Sequence, residues 1–397
     1  MASKPLHVGV ALDGAGWHPA AWREPSSRPT ELLDASYWLD LVSTAERGLL
    51  DFVTIDDSLR VPGGFPGVPL ADDVVDRVAA RLDAHLIAAR VAPVTRHIGL
   101  IPVVTTTHTE PFHVSSALAT LDYTSGGRAG WQVRVSPGAA EAAHFGRRTI
   151  GDLTADELAT AIATGVFPEH AGELFDEGAD AVEVVRALWD SWEDDAEIRD
   201  VATRRFIDRA KLHRVNFEGR FFSVRGPSIT PRPPQGQLVV TTLAHSPRVY
   251  EFAATAADLV FVTPSLSEGP ARIVSEVRAA STDLKIYADL VVFLDSATET
   301  GAERLARLNS VAELASDAAI FAGSADELAD LFVEWSALGI DGFRLRPGVA
   351  VDDLDAISGA LVPALQHRGL FRTAYPETSL RGLLDLPTTV PNRYATV

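Results

Sequence analysis

Residues 97–136 read HIGLIPVVTTTHTEPFHVSSALATLDYTSGGRAGWQVRVS. The stretch opens on a short apolar, β-branched run, His97–Thr105, which suits a buried strand. Phe112–Tyr123 follows as a helix and is stopped by Gly126-Gly127. Arg128–Ser136 is again strand-like. Strands separated by a helix pair in parallel, through a right-handed crossover. Buried parallel strands read as near-continuous apolar runs, and these do.

The same unit recurs on both sides. Upstream, Leu6–Leu12 and Asp51–Asp57 are strands. Tyr37–Gly48 and Arg77–Ala92 are helices, the second closed by Pro93. Downstream the pattern loosens. Leu153–Phe167 is a short helical excursion, Asp176–Glu193 a long helix, Phe217–Ser223 a β-ribbon and Pro227–Pro234 a loop. Alternation then resumes with strands at Leu238–Leu243, Leu259–Thr263, Lys285–Leu294 and Gly342–Arg346. Helices fall at Ser246–Ala257, Pro270–Ala280, around Glu299–Ala315, at Ala325–Leu338 and at Leu354–His367. This is close to eight strand–helix pairs. The fold class expected is α/β, a (β/α)8 TIM barrel with loop insertions. It forms a single domain over 1–397, with insertions near 137–175 and 195–236 and an irregular tail at 371–397. The rival is an open doubly wound sheet. Against it, Asp13-Gly14-Ala15-Gly16-Trp17 only partly matches a dinucleotide-binding G-x-G-x-x-G turn.

Composition narrows the function. The 397 residues carry 35 Lys and Arg against 54 Asp and Glu, a formal charge of −19. Such a field repels phosphate backbones and anionic membrane surfaces, so neither nucleic acid nor membrane is an expected partner. There is no cysteine, which excludes disulfides, thiolate catalysis and iron–sulfur clusters. No signal-like stretch opens the chain and no run reaches a membrane span, so a soluble cytoplasmic protein is expected.

In a barrel the active site forms at the C-terminal ends of the strands. That rule selects Asp13 to His18, Asp56-Asp57-Ser58, Thr105-Thr106-Thr107-His108, Gln132, Arg134, Ser136, Ala244-His245-Ser246 and Arg344 to Pro347. Each has a plain alternative. His18 caps a loop, Asp56-Asp57 is a turn pair, the threonines fill a strand. Ser246-Pro247 opens a helix, which is a phosphate site or merely a capped end. Arg344 and Arg346 share one face of a strand and meet either a substrate or the helix layer. His108, Glu110 and His113 resemble a metal cluster, but no H-E-x-x-H arrangement exists and no metal is expected. Neither a G-x-S-x-G nor a phosphate-binding P-loop is present. A polar mouth without a protein nucleophile suits an organic cofactor.

Several blocks together are more specific. They are Ala45–Val53 (AERGLLDFV) with Asp57-Ser58-Leu59, Thr105–Val114 (TTTHTEPFHV), Ala119–Trp131 (ATLDYTSGGRAGW), and Leu188–Ala196 (LWDSWEDDA). Gly219–Gly236, Asp341-Gly342-Phe343 and Val362–Leu380 continue the series. The chain resembles the bacterial-luciferase-like flavin-dependent monooxygenases, in the branch acting on nitrilotriacetate, EDTA, dibenzothiophene sulfone and long alkanes. The resemblance implies a (β/α)8 barrel that takes FMNH2 from a separate NAD(P)H:flavin reductase. It implies O2 activation through a flavin C4a-peroxide, one oxygen passing to a small organic substrate, and a homodimer or homotetramer. It carries the flavin-contacting Asp onto Asp57, the Ser/Thr onto Thr105 or Thr106, and the phosphate-binding turn onto Ala244, His245 and Ser246.

The chain also departs from the family. Trp131-Gln132 stands for the usual Trp-Asn, and Ala171 and Phe175 stand for a phosphate-holding His and Tyr, with His170 one place off. The helical insertion before the last strand is cut to about Arg304–Phe321. Two alternatives therefore stay open: an F420-dependent hydride-transfer enzyme on the same barrel, or a flavin-binding protein without catalysis. His18 and His108, at neighbouring strand ends, are the acid–base candidates, because imidazole titrates near neutral pH.

Overall fold

Four of the apolar runs come first, as β1 (His7–Leu12), β2 (Phe52–Ile55), β3 (Gly99–Thr105) and β4 (Gly130–Arg134). Two antiparallel ribbons follow. β5 (Glu197–Asp200) pairs with β6 (Arg205–Ile207), and β7 (Val215–Glu218) with β8 (Ser223–Gly226). Then come β9 (Val239–Ala244), β10 (Leu259–Val262), β11 (Lys285–Leu294), β12 (Ala319–Gly323) and β13 (Gly342–Pro347). The computed structural model describes residues 5–62, 76–152, 154, 156, 157, 159, 160 and 168–395, apart from the side chain of His170.

β1, β2, β3, β4, β9, β10, β11 and β13 pair in that order, all parallel, and β13 returns to β1. The result is the closed (β/α)8 barrel. Helices at Ala35–Arg47, Ala84–Val91, Pro111–Ser125, Glu169–Trp189, Pro247–Ala256, Ala271–Ala280, Ala325–Ala337 and Ala350–Ala356 accompany the strands. The Pro111–Ser125 helix ends at Gly126, whose φ of 68° few residues but glycine adopt without strain. Among the described residues no helix is long and apolar enough to cross a membrane.

Two expectations need correction. The helix placed at Arg77–Ala92 starts only at Ala84, because Arg77–Asp83 is drawn over the barrel mouth. The Asp83 carboxylate caps the new start by accepting from Leu86 N at 2.8 Å. The reduced insertion is not helical to Phe321: a helix at Gly301–Asn309 gives way to β12, which extends the sheet along the upper half of β11. The tail is irregular but not loose, and a one-turn helix at Leu380–Leu383 seals the barrel floor. Leu380 and Leu384 are fully buried there with Phe52, Ile101, Val239, Leu259, Phe261 and Tyr287. Gly99 and Gly130 make room, since a Cβ on Gly99 would sit 2.4 Å from Leu380 Cδ1. The expected Leu153–Phe167 excursion lies largely outside the described residues.

Candidate active site

Strand alternation sends every second side chain into the barrel. Above the apolar floor this brings charge inside. Arg344 donates from Nε to Asp289 Oδ1 at 2.6 Å and from Nη1 to Gln132 Oε1 at 2.6 Å. Its guanidinium lies 3.7 Å from the Phe261 ring centroid. One turn of the pleat higher, Arg346 donates from Nε to Asp289 Oδ2 at 2.9 Å and from Nη1 to Asp317 Oδ1 at 2.6 Å, beneath Trp17. Both arginines and Asp289 are almost wholly buried. So the two arginines face neither the helix layer nor a free mouth. They fill the barrel axis, paired by carboxylates, as burial of charge requires.

The rim on the β1–β4 side is an ion-pair lattice. Arg81 reaches Asp13 at 2.9 Å and Asp56 at 3.1 Å, and Arg134 reaches Asp56 at 3.1 Å. Asp57, beside it, accepts from Ser58 N at 2.7 Å and from Ala84 N at 2.8 Å. Burial nonetheless pushes its carboxyl up to about 6. Asp57 thus ties the end of β2 to the start of the Ala84–Val91 helix.

The threonines separate. Thr105 shares its hydroxyl with Ser136 Oγ at 3.0 Å. Thr106 points the other way, bonding Arg134 O at 3.3 Å and packing beside Trp131 against the Glu169–Trp189 helix.

The two histidines also differ. His18 Nδ1 accepts from Ala20 N at 3.0 Å, so Nε2 carries the proton and donates to Asn309 Oδ1 at 3.0 Å. Both nitrogens are engaged in joining the β1 loop to the Gly301–Asn309 helix. His108 instead keeps a buried Nε2 with no partner, its ring stacked 5.2 Å from Phe145. Its φ is +70°, a left-handed conformation that costs a non-glycine residue roughly 1 kcal/mol or more. Burial, with the charge of Arg148, lowers its pKa and keeps the ring neutral.

β9 ends at Ala244, fully buried, and the helix Pro247–Ala256 begins directly after it. Ser246 stands at the helix N-cap but makes no capping bond. Its Oγ is buried and unpartnered. Such a hydroxyl costs about 1–3 kcal/mol unless something else satisfies it. His245 Nδ1 is hydrogen-bonded with Thr263 Oγ1 at 3.0 Å, and its Nε2 lies 3.3 Å from Asp317 Oδ2. Phe175 packs on Phe252, with ring centroids 5.8 Å apart, and Ala171 is buried close by in sequence. The His170 side chain lies outside the described residues.

Sequence reasoning missed Asp289, Asp317, Arg81 and Thr263. Asp289 had a signal: an aspartate inside the buried apolar strand KIYADLVVFL demands a partner. The others carried none, since their partners are distant in the chain.

The comparisons with known proteins agree with the fold. The luciferase-like monooxygenase family matches residues 17–330. The chain is 30% identical to nitrilotriacetate monooxygenase component A of Aminobacter aminovorans over 97% of both chains. It is 29% identical to the N-acetyl-S-(2-succino)cysteine monooxygenase of Bacillus subtilis (strain 168), over 99% of both. A long-chain alkane monooxygenase of known structure superposes with a TM-score of 0.80, at 23% identity over 96% of both chains.

Proposed function

The chain belongs to the luciferase-like monooxygenase family, and on that premise we propose that it is the oxygenase of a two-component system. It accepts FMN reduced by a separate NAD(P)H:flavin reductase and places one oxygen atom of O2 on a small organic substrate. The word "component" in the name of the nitrilotriacetate relative supports the separate partner.

The unpartnered Ser246 hydroxyl carries the reading. It stands at the N-terminus of the Pro247–Ala256 helix, where the helix dipole favours an anion. Arg248 lies in the same turn, paired with Asp176. A phosphate there gives Ser246 its missing acceptor, so these residues fit the tail of FMN. Bound reduced flavin supplies the electrons and the reactivity toward O2. The protein supplies the rest. Ser246 binds the phosphate, and the segment Arg77–Asp83, pinned by Arg81, screens the mouth from water. His108, whose Nε2 is buried without a partner, holds or moves a proton at that atom, a task for which both nitrogens of His18 are already engaged.

Calorimetry with Ser246→Ala tests the assignment. Affinity for reduced FMN should fall about tenfold or more, as expected for a hydrogen bond to an ionised group worth about 1.5–3 kcal/mol. Affinity for reduced riboflavin, which lacks the phosphate, should stay the same. An equal loss for both ligands, or no loss, removes Ser246 from the phosphate site.

A further inference from the structure

His245 has no place in the phosphate cradle just described, and its contacts run the other way. β9 and β10 pair with Ala244 opposite Val262, so the residues that follow, His245 and Thr263, leave the rim side by side. His245 Nδ1 and Thr263 Oγ1 are 3.0 Å apart. On the far side of the ring, Nε2 lies 3.3 Å from Asp317 Oδ2. Asp317 comes from the segment just before β12, above β11. Three neighbouring wall elements thus contribute one side chain each to a single line.

Asp317 is held from below. The buried Arg346 donates to it from Nη1 at 2.6 Å and from Nη2 at 3.2 Å. Although burial opposes ionisation, the charge and hydrogen bonds of Arg346 hold the Asp317 carboxyl well below the usual range, so it is a fixed anion. An ionised carboxylate only accepts hydrogen bonds. A carboxylate oxygen 3.3 Å from Nε2 favours the proton on that nitrogen, which leaves Nδ1 to accept from the Thr263 hydroxyl. This is the arrangement of hydroxyl, base and orienting carboxylate that activates a hydroxyl. A third of the His245 side chain remains open to the mouth.

We propose that Thr263, His245 and Asp317 form a proton relay at the barrel mouth, with Thr263 Oγ1 the atom that meets an O–H or N–H group of bound substrate. The inference rests on reading the mouth as the reaction site. A proton arriving at Thr263 Oγ1 displaces the hydroxyl's own proton onto His245 Nδ1. The imidazolium so formed is neutralised by Asp317, and the reverse transfer returns the proton. Only protons move, and no bond between heavy atoms changes. Thr263 touches the substrate, while His245 and Asp317 act through it. The charges facing His245 are Asp317 and Asp289 against Arg346 and Arg344. Desolvation at the rim, with the two arginines, outweighs the two aspartates and lowers its pKa, so the ring is neutral and able to accept.

Two measurements on the full-length protein test the relay. In the first, histidine side-chain nitrogen NMR is recorded from pH 5 to 8, with His245 assigned by its loss in H245Q. The neutral ring is expected as the Nε2–H tautomer, and D317N is expected to lower the His245 pKa by about one unit, the scale of a lost neighbouring charge. An Nδ1–H tautomer, or an unmoved pKa in D317N, overturns the proposal. The second is the pH profile of the reaction of reduced FMN plus O2 to oxidised FMN plus hydrogen peroxide, followed by absorbance with the protein present. An inflection at the NMR pKa should vanish in H245Q and T263V and move with the pKa in D317N. An inflection that survives in T263V overturns the proposal. If reduced FMN does not bind at all, the oxygenase reading fails, and the relay stands or falls on the NMR result.

Discussion

His108 combines a φ of +70°, a buried unpartnered Nε2 and a neutral ring, and nothing in its own packing repays that conformation. Such outliers persist where the surroundings over-determine them, often at sites of function. Two substitutions separate fold from chemistry. His108→Asn keeps a side chain that tolerates the left-handed region, so its unfolding free energy in urea should stay within about 0.5 kcal/mol of the parent. His108→Val should cost about 1–3 kcal/mol. Both should alter the pH dependence of flavin reoxidation, and an unchanged profile in His108→Asn would remove the residue from the reaction. At this scale the sequence was partly legible. The barrel rule led to Thr105, His108, His245 and Ser246 at strand ends, and all four lie at the rim. It did not reveal that Asp57 bonds the start of the Ala84–Val91 helix, nor that both nitrogens of His18 are engaged, because those partners depend on how loops and helices meet.

Elements were the most legible level, and the exceptions have physical causes. Lys285–Leu294 is a strand over the expected span because it is apolar throughout save for Lys285 and Asp289. The helix expected from Arg77 fails over its first two turns, because Arg81 prefers Asp13 and Asp56 across the mouth to an exposed helical position. β12 was missed because five short residues, AIFAG, become a strand only by pairing with the extended end of β11. The tail is tied to the barrel by His7, which meets Asp51 at 3.1 Å and Asp385 at 3.3 Å. Burial lowers the His7 pKa and Arg372 adds to that, but Asp51 and Asp385 outweigh both and the net shift is upward. A raised pKa means that the native state holds the proton more tightly. Its stabilisation is full below about pH 6.5, the unfolded value, and is lost as pH rises through the folded pKa. The Tm advantage of the parent over His7→Gln should therefore shrink between pH 6 and 9. A constant or growing advantage would contradict the latch.

Over the whole molecule, one wall separates an apolar floor from a charged axis. The floor is sealed by Leu380 and Leu384, and the axis runs from Gln132 through Arg344, Asp289 and Arg346 to Asp317. Asp289 bonds both arginines, so Asp289→Asn leaves two buried cations short of an anion. Breaking such a pair costs about 3–5 kcal/mol, to be seen as an earlier urea midpoint. An unchanged midpoint would mean that water or anions already reach the axis. The axis ends at the rim beneath His245, while Ser246 waits beside it without a partner, so the charge stored in the barrel supports the face where chemistry is assigned. The most direct measurement is an anaerobic titration of the protein with reduced FMN, oxidised FMN and F420, followed by admission of air. Reduced FMN is expected to bind most tightly and to consume O2 on exposure. Binding of F420 alone would make this a hydride-transfer enzyme, and binding of none would contradict the flavin site itself.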